Sequence, residues 1–184
     1  MDKEKIEELK SKRLKLQEEV RLKDLRDRVK YQISHLDKLG ESYFVFYKFE
    51  NLNWINSNVS VRNRDNYRGV HGDFQINVED SDAKISINLC ENEINSEKFK
   101  KHFSSLISNE CRLILCYQEG SPELEFSAEA FLNNPTVFLS RPETWILTTD
   151  KKWIIEYIWD QGVIRFIQLQ ESIPTLVMKI IIEE

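Results

Sequence analysis

The sequence predicts an α+β protein: a long N-terminal helix followed by a mainly antiparallel β-sheet domain with two shorter helices. Residues 2–39 contain neither Gly nor Pro and are rich in Glu, Lys, Arg and Leu, the composition of a helix. After Gly40 come short apolar or alternating runs, aromatic and β-branched, which suit strands. Many of these runs are joined by connections short enough to be hairpin loops.

The helix comes first. Glu8–Lys12, Glu19–Lys23 and Asp24–Arg28 are acid-before-base pairs four apart, the supportive orientation. Gly40 suits the left-handed stop after it. At about 100° per residue the apolar positions form two stripes. Ile6, Leu9, Leu16 and Val20 lie on one side, and Leu22, Leu25, Val29, Ile33 and Leu36 on the opposite one. If the second stripe packs on the body, the first projects as an interaction arm, unless a break near Val20–Leu22 folds the first segment back. Residues 1–40 are therefore expected as a charged amphipathic helix, and residues 41–184 as an acidic α+β domain.

Within that domain Tyr43–Phe49 reads as a buried strand. Asn51–Ser57 reads as a loop leading to a short strand at Asn58–Arg62, and residues 63–72 as loop. Phe74, Ile76 and Val78 alternate with polar residues, as do Ile85, Ile87 and Leu89, which suggests a hairpin around Asp80–Asp82. Ser96 suits the N-cap of a helix whose Phe99, Phe103, Leu106 and Ile107 share a face. Cys111–Tyr117 reads as a strand and Gln118–Pro122 as a turn. Ser127 opens a short helix that stops before Pro135. Trp145–Thr148, Trp153–Trp159 and Val163–Leu169 form a meander, and Leu176–Ile182 a final strand. Both faces of Trp153–Trp159 are largely apolar, which marks a central strand covered on both sides, with the long helix a natural cover for one.

The 184 residues carry 26 Lys+Arg and 31 Asp+Glu, a net charge of -5. Residues 1–40 hold twelve basic and nine acidic residues, and the remaining 144 hold fourteen and twenty-two. A mildly basic arm is thus attached to an acidic body, a balance that speaks against wholesale DNA binding. The opening MDKEKIEELK has no apolar signal core, and no apolar run is long enough to span a membrane. Cys90, Cys111 and Cys116 are an odd count in apolar stretches, which fits buried thiols in a reducing, cytoplasmic setting.

The motifs of common catalytic machinery are absent, and no cofactor or metal site is expected. His35 and His102 read as surface residues. Cys111 and Cys116 are five apart on a strand, so they face opposite sides and cannot share a metal. Arg62, Arg64, Tyr67, Arg68 and His71 form a basic, aromatic loop near Asp73, which supports an alternative reading as a nucleic-acid-binding or processing protein. Glu119, Glu123, Glu125 and Glu129 cluster around the Ser121-Pro122 turn, a negative surface suited to a basic protein partner.

In size, charge and texture the body resembles the small acidic inhibitors of bacterial toxin–immunity pairs. That resemblance implies occlusion of a toxin's active site and carries over no functional residue. The expectation is a non-enzymatic protein-binding module: an immunity protein against a basic toxin, or a subunit of a defence complex. Partner contacts are expected at Ile6, Leu9, Leu16 and Val20 and at the glutamate cluster. A structural subunit that assembles, as a homo-oligomer for instance, through its N-terminal helix is a further alternative. Nucleic acid and membrane are not expected partners.

Overall fold

The computed structural model describes residues 3–63, 74–78, 83–117, 121–142 and 144–169. The chain begins with α1 (Lys3–Arg28) and α2 (Lys30–Leu39), separated at Val29, whose φ of -112° and ψ of 15° leave the helical region. The interruption thus lies at Val29 rather than near Val20–Leu22. Gly40 ends α2 in the left-handed conformation (φ 66°), with its own N–H donated to Asp37 O and that of Glu41 to Leu36 O.

Then follow β1 (Phe44–Phe46), α3 (Glu50–Asn58), β2 (Val61–Asn63), β3 (Phe74–Ile76) and β4 (Ala83–Cys90). They lead through α4 (Glu97–Leu106), β5 (Arg112–Tyr117), β6 (Glu123–Ser127), α5 (Ala128–Asn133) and α6 (Pro135–Phe138) to β7 (Thr144–Thr148), β8 (Trp153–Ile158) and β9 (Val163–Leu169). Seven strands form one antiparallel sheet in the order β1-β6-β5-β7-β8-β9-β4, and β2 and β3 pair separately. Ser96 and Ser127 cap α4 and α5 by accepting the N–H groups of Phe99 and Ala130. The expected meander is present as β7-β8-β9, and β8 lies inside the sheet between β7 and β9.

Strand alternation divides the sheet into two faces. On the first, Leu113, Leu115, Leu124, Phe126, Ile146, Ile155, Ile164 and Phe166 meet Val29, Ile33 and Leu36 of the α1–α2 segment together with α4, α5 and α6. Phe126 stacks on Phe138 at 4.2 Å, and Phe99, Phe103, Phe131 and Phe166 pack around one another. On the second, Ile114, Cys116, Trp145, Leu147, Ile154 and Ile167 lie under Leu52 and Ile55 of α3, Val59 and Ile76 of β3.

Several local readings change. Tyr43–Phe49 is not a buried strand: only Phe44–Phe46 pair, at the sheet's edge, and Phe44 is 59% exposed. A run apolar throughout fits an edge as well as a centre, and β1 has a strand on one side only. Residues 51–57, read as loop, are helical, because Leu52 and Ile55 turn onto the second face and Glu123 of β6 holds the segment's N-terminus. The short strand after it is Val61–Asn63 rather than Asn58–Arg62. The hairpin of residues 74–89 does not form: β3 pairs with β2, and β4 pairs with β9. Alternation identifies strands but is blind to their neighbours. The expected strand Leu176–Ile182, the turn at 80–82 and residues 118–120 of the expected turn Gln118–Pro122 lie outside the described residues.

Phe166 is fully buried between α4 and the central strands, whereas Trp153 is only partly buried. Phe166→Ala should cost about 3–5 kcal/mol in urea unfolding, and Trp153→Ala distinctly less. Equal costs would contradict this placement.

Candidate functional site

Among the described residues, the longest set of exposed apolar side chains on one element is on α1. Its 26 residues span about 39 Å. Leu25, Val29, Ile33 and Leu36 are buried and Leu22 is half-buried, so the second stripe docks on the body as its periodicity predicts. The first stripe stays in solvent: Leu9 is 52%, Leu16 61% and Val20 68% exposed, while Ile6 is half-buried; Leu14, 65% exposed, lies on the opposite side of the helix. Ion pairs of Glu8 with Lys12 (2.7 Å), Glu18 with Arg21 (2.8 Å) and Asp24 with Arg28 (3.5 Å) brace the helix along its length. The Arg21 guanidinium holds the Glu18 carboxyl below its usual range.

The root of this arm is fixed by polar groups of the body. Arg141 donates from Nη2 to the Arg28 carbonyl (2.6 Å), at the point where the helix is interrupted. The same guanidinium sits 5.1 Å from the centre of the Tyr117 ring. One turn on, the buried Gln32 amide donates to the Val137 carbonyl (3.0 Å) and lies 3.0 Å from the Tyr117 hydroxyl. Burial pushes that hydroxyl up to about 12, which keeps it protonated and able to donate to the Phe138 carbonyl. His35, expected on the surface, is half-buried with its ring 6.1 Å from that of Phe138, because α2 turns it toward α6. His102 is half-buried on α4.

Of the glutamate cluster, Glu123 and Glu125 are engaged within the fold. Glu123 is fully buried on β6 and accepts the Leu52 N–H (2.7 Å) and the Asn51 side-chain N–H (2.8 Å), holding the N-terminus of α3. Glu125 pairs with Arg112, whose guanidinium also reaches the Ser42 carbonyl. Glu129 is exposed in the first turn of α5. Glu119 lies outside the described residues, as do Arg64, Tyr67, Arg68 and His71, and of Arg62 only its position in β2 is described. The arrangement thus leaves Glu129 as the one described member of the cluster free of burial or pairing with Arg112, and the apolar arm as the larger surface.

Sequence reasoning missed a second buried carboxylate. Glu156 on β8 and Arg165 on β9 are cross-strand neighbours, and Arg165 donates to Glu156 through Nε (2.7 Å) and Nη2. Glu156 also accepts from Trp145 Nε1 (3.1 Å) and from the Ile76 N–H (2.7 Å), and Arg165 donates to the Ile76 carbonyl (3.0 Å). Burial raises the Glu156 carboxyl, opposed by these donors. A lone charge in each of two successive apolar strands was the available signal.

Cys116 is buried, Cys111 is half-buried and Cys90, expected inside, is exposed near the end of the edge strand β4. Burial pushes the Cys111 and Cys116 thiols up. Among the described residues no group of three or more His, Cys, Asp or Glu side chains is placed to hold a metal ion, and no helix is long and apolar enough to cross a membrane. Comparison with protein-family models, with curated proteins and with solved structures finds no match to this chain.

Two outcomes follow from these contacts. Glu156→Gln should destabilise the fold by about 3–5 kcal/mol, because it strands the Arg165 charge. Replacing both residues, Glu156→Leu with Arg165→Met, should recover part of that loss but leave a deficit of about 1–3 kcal/mol from the orphaned Ile76 backbone groups. A complete recovery in urea titrations would show that Ile76 does not depend on the pair. Arg141→Ala should cost only about 1 kcal/mol, yet speed amide exchange of residues 24–30 more than that of α4. Uniform exchange rates would deny Arg141 its anchoring role.

Proposed function

We propose that this protein is a non-enzymatic protein-binding module that docks through α1. The observation that supports the reading is the contrast between the two stripes of the N-terminal helix. One completes the core, while Leu9, Leu16 and Val20 of the other stand in water. Exposed leucines and a valine aligned on one side of a helix are what helix-mediated association uses. The polar residues around them fit the rim of such a contact. An immunity-type role would use this arm, or other parts of the acidic body, rather than Glu123 and Glu125, which are occupied within the fold.

Leu9→Glu combined with Leu16→Glu should abolish assembly of the protein, with itself or with another protein from its host, while leaving the melting temperature within a few degrees of wild type. Native mass spectrometry and thermal unfolding read the two effects. Assembly that survives the double substitution would sink the reading.

A further inference from the structure

Resting on that reading, we infer that the occupant of the exposed α1 stripe is a second copy of this chain, paired with it antiparallel. The inference draws on charge as well as on apolar exposure. Residues 3–15 carry six Lys/Arg and three Asp/Glu, and residues 16–28 carry four of each. A parallel pair sets the two basic halves against each other, and an antiparallel pair sets each against a neutral half. Opposed helix directions also bring each positive helix start near a negative helix end.

The flanks give a register. Glu8, Lys12, Glu19 and Lys23 lie on one side of the stripe, Lys10, Gln17 and Asp24 on the other, by helical geometry. In a parallel pair opposite flanks meet, so Lys5 faces Lys10 and Glu19 faces Asp24 of the second copy, like against like. In an antiparallel pair the same flank of each helix meets. With the two-fold axis near residues 14 and 15, Leu9 lies against Val20 of the second copy and the Arg13 stem lies along Leu16. Lys12 then meets Glu19, and Glu8 meets Lys23, each twice by symmetry. Lys5 facing Arg26 is the unfavourable pair that remains, at the ends of the contact. Residues 5–21 of α1 are exposed apart from the half-buried Ile6, so the described part of the body does not cover this face.

The experiment is sedimentation-based: analytical ultracentrifugation of the full chain from micromolar to near-millimolar concentration, at low and at high salt. A concentration-dependent dimer is expected. Lys12→Glu should raise its Kd by about tenfold at low salt, less at high salt, because each altered pair is counted twice. Lys12→Glu combined with Glu19→Lys should restore it. All these positions are exposed, and unchanged melting of each variant checks that the fold is intact. A monomer at every concentration overturns the inference, while the docking reading then stands or falls on whether the Leu9/Leu16 double variant loses a different partner. A dimer lost with Leu16→Glu but indifferent to the charge swaps overturns the antiparallel register alone. A dimer indifferent to Leu16→Glu as well overturns both the inference and the reading beneath it.

Discussion

The cross-strand pair of Glu156 and Arg165 decides how the second face of the sheet is covered. The first face is covered by helices whose apolar side chains interlock, so packing alone defines their places. Among the described residues, the second face is covered by α3, Val59 and β3. Register sets Cys116, Trp145, Glu156 and Arg165 side by side across β5, β7, β8 and β9. A buried ion pair contributes little net stability, since desolvation offsets attraction. Here its value is positional: its remaining hydrogen-bonding capacity goes to both backbone groups of Ile76 and to the Trp145 indole. Glu123 does the same for α3, whose entry at Phe49 has a left-handed backbone (φ 53°) that a side chain adopts only under constraint. Two carboxylates thus place the two covering pieces.

With both faces closed, the helical arm follows. The two stripes of residues 6–36 lie on opposite sides, and a single body can bury only one of them. The stripe nearer the sheet wins because Gly40 ties the end of α2 close to β1, leaving Val29, Ile33 and Leu36 over the first face. Arg141 and Gln32 fix the helix where it leaves that face. The exposure of Leu9, Leu16 and Val20 therefore follows from the periodicity, which turns them away from the face that the second stripe buries.

This separation explains what the sequence makes legible. Helix stripes and the β7-β8-β9 meander are local patterns, repeated every few residues and joined by short turns, and periodicity reports them directly. The fold class and the packing of Leu25–Leu36 were readable for that reason. Pairing between distant strands is not a local property. Nothing around residues 74–89 says that β3 joins β2 and β4 joins β9, and nothing in residues 43–49 distinguishes an edge from a centre. Glu123 misleads most, because a glutamate among glutamates reads as solvated surface. Only the approach of α3, some seventy residues earlier in the chain, makes it a buried helix anchor. The Glu156–Arg165 pair was accessible in principle: aligning the β8-β9 hairpin puts the two lone charges opposite each other.

The composition of the arm also constrains the strength of any contact it makes. Obligate interfaces resemble a divided core, large and continuously apolar. The α1 stripe offers a few leucines and a valine, is interrupted by Arg13 and is lined by charges already engaged within the helix, as in the Glu8–Lys12 pair. The body, by contrast, holds Phe99, Phe103, Phe126, Phe131, Phe138 and Phe166 fully enclosed without any second chain. Folding and association are thus built from separate sets of residues. Helices in proteins draw most of their stability from packing, and the exposed part of α1 gains its support from its root at Val29 and from its own ion pairs. A partner that covers the stripe would therefore reinforce the arm without being needed to fold the body, which makes the contact sensitive to salt and concentration rather than permanent.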